Sequence, residues 1–181
     1  MLYTVLQIPT LTPTDCLACQ NLDLNYVTEY VWHMHSTERD RMMQMRFDTV
    51  RLPRQMAVNY PRPLAELTTH AQQGHYQAVA KLSDGQVIGV LDAMVQIEQR
   101  RLWVCHWGVT RMYRRKGHGR RLLQQALNWA AQQGLRRAIL ELQTKNHPAI
   151  TFAQQHGFQF CGYSEHYYNN EDIALFFSHA L

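Results

Sequence analysis

The sequence predicts a single α/β domain, built on a mixed, mostly antiparallel twisted sheet with helices on both faces. β-rich runs at residues 76–82, 86–98 and 102–109 follow one another with short turns between them, as antiparallel strands do. Residues 102–143 read as a strand, a glycine-containing turn, an amphipathic helix and a second strand, which is the pattern of a parallel crossover. With 181 residues, the chain is long enough for one core and short for two. We therefore expect residues 1–181 to form one domain.

The composition is typical of a soluble globular protein, because 46% of the residues are hydrophobic and 18% are charged. The sequence contains no run of about 18 apolar residues, so no membrane-spanning segment is expected. The N-terminal MLYTVLQIPT has neither a basic region nor a long apolar region, and thus shows no secretory signal. These features predict a cytoplasmic protein.

The first third of the chain is predicted to contain a strand, a helix and a hairpin. Residues 2–8 are typical of a strand, and Asp15 is expected to cap a helix that ends near residue 21. Apolar or alternating runs at residues 29–35 and 42–52 predict the hairpin. Two proline-containing segments, Arg51-Leu-Pro-Arg and Tyr60-Pro-Arg-Pro, are expected to interrupt regular structure. This loop region either forms a substrate wall or only connects elements.

The elements after the central strand are also predicted from local patterns. Apolar residues recur at helical spacing: Leu122, Leu123, Ala126, Leu127 and Ala130. Gly134 supplies the end of that helix. A strand at residues 138–143 and a short helix at residues 147–156 follow. Residues 158–163 and 173–179 predict a closing hairpin.

A concentration of positive charge lies between the central strand and its helix. The segment holds six basic side chains: Arg111, Arg114, Arg115, Lys116, Arg120 and Arg121. A helix that begins at such a turn presents unpaired backbone N–H groups and the positive end of its dipole, and this favours phosphate. Neither a GxGxxG fingerprint nor a P-loop is present. No broad basic face or stacking platform accompanies the turn, so a nucleic-acid partner is not expected.

Two segments resemble the GNAT superfamily of N-acetyltransferases. Arg114-Arg115-Lys116-Gly117-His118-Gly119 is similar to the pyrophosphate-binding signature of that family, and Val109 and Tyr113 extend the match. The segment from Glu141 to Phe158, with its strand, asparagine and Gly157-Phe158, resembles the second family motif. The resemblance covers residues 87–158, whereas residues 1–70 carry no comparable match.

The resemblance implies a GNAT-like domain in which the fourth and fifth strands, here residues 102–109 and 138–143, splay apart in a V. It implies acetyl-CoA as the co-substrate, with the pantetheine arm lying between the two strands. The residues that would bind it are Trp107, Val109, Arg114, Arg115, Lys116, Gly117, His118, Gly119, Arg120 and Asn146. Residues 70–181 would be the motif-bearing core, and residues 1–69 would supply elements on the acceptor side.

Catalytic residues are less clearly marked. Many members of the family carry a tyrosine that protonates the departing thiolate, and Ala153 stands at that position. Tyr163 is our candidate for a replacement acid, and the neighbouring Tyr167 and Tyr168 are the alternatives. The competing interpretation is that all three tyrosines only pack in the core.

The amine acceptor needs a base, for which Glu141 is the first candidate. It interrupts an apolar strand, where burial would raise its pKa, and some branches of the family use a glutamate five residues before the asparagine as base. The alternative is that Glu141 forms a salt bridge or lies on an exposed face of its strand. His106 is the second candidate, with a hydrogen-bonded core position as its alternative.

The four cysteines and the histidine pair are not expected to bind metal. Cys16 and Cys19 form one CxxC, but Cys105 and Cys161 do not supply a second pair, so buried thiols are expected. His33 and His35 share one strand face without further evident ligands.

The sequence thus predicts an N-acetyltransferase, monomeric or homodimeric, that acetylates a primary amine by direct attack. The acceptor would be a small molecule or a peptide N-terminus, and 18 basic against 14 acidic residues weigh against a polycation. A non-catalytic acyl-CoA-binding or sensor module is the alternative, suggested by Ala153.

Overall fold

A six-stranded mixed sheet with strand order β3-β4-β5-β6-β8-β7 forms the centre of the computed structural model, which describes residues 7–181. A two-stranded hairpin, β1-β2, lies beside it. The elements are α1 (Pro13–Gln20), β1 (Tyr26–Arg39), β2 (Met42–Val58), α2 (Glu66–Gln72), β3 (Tyr76–Lys81), β4 (Val87–Gln96), β5 (Arg101–Val109), α3 (His118–Gln132), β6 (Arg137–Gln143), α4 (His147–Gln155), β7 (Gln159–Ser164) and β8 (Ala174–Ala180). The predicted α/β fold with a mixed sheet is confirmed. No helix in the described part of the chain is long and apolar enough to cross a membrane.

The central strands pair as the sequence predicted. β3, β4 and β5 are antiparallel in series, and β6 runs parallel to β5 after the crossover through α3. The β5-β6 ladder is short, because it pairs residues 101–104 with residues 137–140 only. Both strands continue past that point. A bulge at Cys105 bends β5 just there, since His106 faces Asp92 while Val104 faces Ala93.

The chain ends in the predicted antiparallel hairpin of β7 and β8, and β8 lies between β6 and β7. Helices cover both faces of the sheet. α3 and α4 pack on one face in the larger core cluster, where Leu122 and Ile150 are fully buried. α1 and α2 contribute Cys19 and Leu67 to a second cluster on the other face, together with Val79 and Val90. Alternation along β3 and β4 supplies both clusters.

The β1-β2 hairpin is longer than the sequence suggested, and its turn lies at Asp40 and Arg41. The expected break at Arg51-Leu-Pro-Arg was wrong, because β2 runs through Pro53. The register shifts there: Thr28 pairs with Met56, but Tyr30 already pairs with Arg51. Pro53 therefore lies in the irregular part of the ladder, where its missing N–H costs no regular hydrogen bond.

Two helical predictions for the first 72 residues need correction. α1 begins three residues earlier than expected, because Thr12 is its N-cap and Asp15 completes a capping box with it. α2 was not predicted; it is short, has no side-chain cap, and buries only Leu67. Most of the strand predicted at residues 2–8 lies outside the described residues, but Gln7 pairs with Lys81 beside β3.

Candidate active site

A cavity of about 410 Å³ opens where the pairing of β5 and β6 ends. Its walls are the continuing part of β5, the facing part of β6, the start of α3 and the start of α4. Segments from the first 69 residues close another side, through Tyr26, Tyr60 and Arg62. The end of the ladder leaves strand edges facing each other across this space, and free strand edges can pair with an extended ligand.

The basic turn forms one end of the cavity. Arg115 and Gly117 both have left-handed backbone angles, with φ of 62° and 84°, so the chain folds back tightly before α3. The first backbone bond into α3 runs from Arg121 N to Gly117 O over 3.1 Å. The N–H groups of residues 118–120 are therefore left without partners inside the helix, and these residues line the cavity, as an anion site requires.

Nine of the ten predicted cofactor residues line this cavity. They are Trp107, Val109, Arg114, Arg115, Gly117, His118, Gly119, Arg120 and Asn146. Lys116 is not among the lining residues; its ammonium group lies 5.2 Å from the centre of the Tyr113 ring. His118 Nδ1 is buried without a hydrogen-bond partner in the described chain, and burial together with Lys116 and Arg121 lowers the pKa of its ring. A polar ligand at the helix start would satisfy that nitrogen.

The Arg114 guanidinium is directed toward protein carbonyls. It donates to Val109 O at 2.7 Å, Asn25 O at 2.8 Å and Asp23 O at 3.1 Å. These bonds attach the segment that precedes β1 to the end of β5. The side chain therefore has a structural task. The backbone N–H of Arg114 donates to Arg111 O at 3.3 Å, so it is not free for a phosphate either.

Trp107 and Asn146 also serve the architecture of the cavity. The Trp107 indole donates to Gly119 O at 3.0 Å and its ring lies 5.0 Å from that of Phe152. Asn146 is the N-cap of α4, and its side-chain oxygen accepts from Ala149 N at 3.2 Å. Both residues thus hold helix starts against the cavity.

Glu141 lies on the cavity wall and is the centre of a hydrogen-bond network. Its side chain is 1% exposed. Oε1 accepts from Arg62 Nε at 2.5 Å, while Oε2 accepts from Trp103 Nε1 at 2.7 Å and from the Tyr167 hydroxyl at 2.5 Å. The structure therefore gives Glu141 the salt bridge that the sequence left open. Two carboxylate oxygens offer about four acceptor positions, so one remains beside the Arg62 contact.

His106 lies in the core and is not among the residues that line the cavity. It is fully buried, and burial lowers its pKa to about 4. Its Nδ1 lies 3.4 Å from the Tyr60 hydroxyl. A histidine that stays neutral across the physiological range is a weak proton acceptor, which favours the core role over the catalytic one.

The three tyrosines near the C-terminus have different environments. The Tyr163 ring packs at 5.4 Å from that of Phe47, away from the cavity lining. Tyr167 binds Glu141. Tyr168 lines the cavity and is buried, which raises the pKa of its hydroxyl well above 10. Ala153, where the family places a tyrosine, is fully buried in the core.

Tyr26, Tyr60 and Arg62 were not identified from the sequence. The proline-containing segment around residue 61 was one signal, because it was considered as a substrate wall. Arg62 had no recognisable signal: it meets Glu141 across 79 positions of sequence. Cys16 and Cys19 are buried thiols, as predicted, whereas Cys105 is half-buried and Cys161 is exposed. Burial raises the pKa of Cys19 to about 12.

Comparison with known proteins identifies the fold. The family model described as acetyltransferase (GNAT) family matches residues 39–158. The crystal structure of nourseothricin acetyltransferase is similar over 98% of this chain and 99% of that chain, with a TM-score of 0.84 and 24% identity. A proposed streptothricin acetyltransferase from Bacillus anthracis str. Ames, in complex with acetyl coenzyme A, gives a TM-score of 0.77 at 20% identity, over 98% and 99% of the two chains.

A third structure is the ribosomal-protein-S18-alanine N-acetyltransferase from Escherichia coli, with a TM-score of 0.69, 16% identity and coverage of 97% and 94%. No curated protein sequence matches the chain. At these identities the structural likeness shows the fold, while the family model identifies the family.

Proposed function

The chain belongs to the GNAT family of acetyltransferases, and on this basis we propose that it transfers an acetyl group from acetyl-CoA to a primary amine of a small molecule by direct attack. The observation that carries the proposal is the cavity between β5 and β6, which joins a phosphate-ready helix start to a buried carboxylate. Members of the family use acetyl-CoA, which supplies the activated acetyl thioester when bound.

Residues at the start of α3 fit the pyrophosphate of the donor. The free N–H groups of residues 118–120 and the exposed Arg115 and Arg120 side chains supply positive charge at one end of the cavity. The unpartnered His118 Nδ1 lies at the same end. The unpaired parts of β5 and β6 leave room for an extended arm between them, and we propose that pantetheine occupies it.

Direct attack is favoured over an acyl-enzyme intermediate. Cys105 is the cysteine in the cavity wall, and burial with the nearby Glu141 raises its pKa to about 12. At neutral pH such a thiol stays protonated, and the thiolate is the nucleophilic form. The acceptor amine is thus the nucleophile. It must lose a proton, and the one acceptor position left on Glu141 allows a water to carry that proton to the carboxylate.

Tyr168 is the group that we propose to stabilise the departing thiolate by a hydrogen bond, in place of Tyr163. It lies in the cavity wall, and its raised pKa keeps the hydroxyl protonated at neutral pH. The same shift makes the hydroxyl a weaker acid than the CoA thiol, so its contribution is a hydrogen bond to the sulfur as the thiolate leaves. One cavity therefore holds both groups that the reaction needs: Glu141 accepts the proton of the amine, and Tyr168 donates a hydrogen bond to the departing sulfur.

The side of the cavity that we assign to the acceptor is aromatic. Tyr26 and Tyr60 line it, and Glu141 is the acidic side chain in the described cavity wall. A small amine with an apolar or planar body suits such a wall. The nourseothricin and streptothricin acetyltransferases, named for small molecules, have higher TM-scores than the ribosomal-protein enzyme. The ribosomal-protein enzyme is similar over 97% of this chain, so a peptide N-terminus is our second candidate acceptor.

The decisive experiment measures CoA release with a thiol reagent over a panel of amines that includes a streptothricin, simple diamines and an alanine-terminated peptide. We expect turnover with at least one small amine. Glu141→Gln should lower kcat by about 100-fold or more, because general-base catalysis contributes that much. Acetyl-CoA should still raise the melting temperature of the variant, because Glu141 is not at the phosphate end.

Glu165→Gln is the matched control, since it makes the same change at an exposed position in the adjacent turn. Stabilisation by acetyl-CoA without turnover on any amine would favour the non-catalytic acyl-CoA-binding module. Turnover with the peptide alone would identify a peptide N-terminus, and not a small molecule, as the acceptor. A protein that acetyl-CoA does not stabilise would contradict both functions.

A further inference from the structure

A second cluster of titratable side chains lies behind the bulge of β5 and has no part in the proposed function. It joins His70 of α2, Asp92 of β4 and His106 of β5. One ligand atom of each lies within 4.8 Å of the other two. Asp92 and His106 are fully buried. Buried charge of this kind is costly unless it is paired or coordinates a metal.

Three side chains lie within hydrogen-bond distance of Asp92. Gln77 donates to it at 2.8 Å, the nearest nitrogen of His70 lies at 2.7 Å, and that of His75 lies at 3.2 Å. Both histidines face it through Nδ1, so His70 as a ligand beside Asp92 would bind the ion through that nitrogen and carry its proton on Nε2. A carboxylate that binds a metal is usually held by further polar groups, and Gln77 and His75 lie at Asp92 in that way.

Two buried atoms at the edge of the cluster have no hydrogen-bond partner within residues 7–181. They are His106 Nε2 and Glu66 Oε2, and they face each other over 3.5 Å. This distance exceeds an ordinary hydrogen bond, and an unsatisfied buried polar atom costs about 1–3 kcal/mol. A group that binds both atoms at once would remove the cost. Glu66 and His70 are four residues apart on α2, so they share a helix face.

The charges of the region are also unbalanced. The Arg62 guanidinium lies next to the cluster and contacts two carboxylates. Its Nε lies 2.5 Å from Glu141 Oε1, and its Nη1 lies 3.7 Å from Glu66 Oε2. Among the residues that the structure describes, the partners of Asp92 are two histidines and an amide. In the described part of the chain, Glu66, Asp92 and Glu141 thus have one guanidinium among them, and a divalent cation would balance the remaining negative charge.

We propose that His70, Asp92 and His106, with Glu66 as a fourth ligand, bind one first-row divalent metal ion, of which Zn²⁺ fits best. Imidazole and carboxylate are the ligands that such ions take in proteins, at about 2.0–2.2 Å. Tetrahedral ligands then lie about 3.3 Å apart. The ligand atoms of His70, Asp92 and His106 are separated by no more than 4.8 Å, and Glu66 Oε2 lies 3.5 Å from His106 Nε2. Ligands must be deprotonated, so the proton shared by His70 and Asp92 leaves or moves to the other ring nitrogen.

The ion would have a structural task. It would fix α2 to β4 and β5, and α2 follows the segment that carries Tyr60 and Arg62 into the cavity. Tyr60 also contacts His106 directly, at 3.4 Å. The metal site would therefore hold the acceptor wall in place from behind, and the chemistry of transfer would not pass through it.

The test begins with protein stripped by a chelator and dialysed against metal-free buffer. Zn²⁺ and Co²⁺ are then added separately, with metal content, the visible Co²⁺ spectrum and the melting temperature as readouts. We expect about one ion per chain, a Co²⁺ spectrum of a four-coordinate site and a higher melting temperature. His70→Gln and His106→Gln should each lower the Zn²⁺ affinity at least 100-fold, because each removes a ligand.

His33→Gln is the matched control, because His33 belongs to an exposed histidine pair on the hairpin. It should retain the ion. Should His106→Gln fail to fold, His70→Gln still tests the site, since the His70 side chain is partly exposed. Three results would overturn the proposal: less than about 0.1 ion per chain, no melting shift in the unaltered protein, or loss of the ion in His33→Gln alone.

Discussion

Arg114 and Arg115 are adjacent in the sequence and have different surroundings in the structure. The Arg114 guanidinium is held by three backbone carbonyls, while Arg115 is exposed at the cavity end. The signature alone assigned both to the pyrophosphate. Carbonyl acceptors that come from a segment 89 residues away could not be read from it.

Arg114→Ala should therefore lower the free energy of unfolding by about 1–2 kcal/mol, because it removes three bonds of which two are exposed. Arg115→Ala should leave stability within about 0.5 kcal/mol and raise the Kd of acetyl-CoA about 10-fold, the cost of one charge-assisted contact. Urea denaturation and calorimetric titration measure the two effects. Reversed effects would contradict this division of tasks.

Tyr163 and Tyr168 form a second matched pair. We expect Tyr168→Phe to lower kcat about 10- to 100-fold, because it removes a hydrogen-bond donor from the cavity wall. Tyr163→Phe should leave kcat unchanged, since its ring packs on Phe47. The raised pKa of Tyr168 keeps its hydroxyl protonated as pH rises through the neutral range, so no loss of activity below about pH 10 should come from it. Steady-state kinetics between pH 6 and 10 decide the question.

At the scale of elements, the end of the β4-β5 pair depends on close packing. A Cβ on Gly89 would lie 2.8 Å from Gly108 O, a backbone atom, whereas a Cβ on Gly108 would lie 3.0 Å from side-chain atoms of Leu24. Backbone in a sheet cannot yield without loss of pairing, but a leucine side chain can change rotamer.

Gly89→Ala should thus cost about 2–4 kcal/mol of stability, and Gly108→Ala clearly less. Chemical denaturation of both variants measures this. Equal costs would show that β4 can move away from β5 at this end without penalty.

Sequence patterns predicted some helices and strands correctly and missed others. α3 was predicted from its apolar spacing because an amphipathic helix on a sheet needs a continuous buried stripe. α2 has only one buried apolar residue, so no comparable stripe exists. Pro53 was read as a break, but strand pairing with a shifted register tolerates it.

At the scale of the whole molecule, the first helix is attached to the main sheet by an ion pair. Asp15 lies 2.6 Å from Lys81 of β3 and also accepts two bonds from Thr12. Burial raises the pKa of Asp15, but the Lys81 and Thr12 contacts outweigh it, so the pKa is lowered from 3.8.

Because the folded state lowers this pKa, Asp15 contributes stability above the unfolded value of 3.8 and loses it as pH falls through the folded value. Asp15→Asn should lower the free energy of unfolding by about 1–2 kcal/mol at pH 7, and the difference should shrink below about pH 4. Glu38→Gln, at an exposed hairpin position, is the control. Urea denaturation from pH 3 to 7 checks it; a difference independent of pH would contradict the ion-pair origin.

The sequence by itself determined the crossover from β5 to β6 and the phosphate-ready turn between them, because both depend on local spacing: apolar period, glycine position and clustered charge. It also named Glu141 and nine residues that line the cavity. Only the tertiary structure decided which side chains meet. Arg62 reaches Glu141 across 79 positions, and His70 reaches Asp92 across 22. Such contacts follow from sheet register and helix placement, which balance many weak interactions over the whole chain and leave no local pattern.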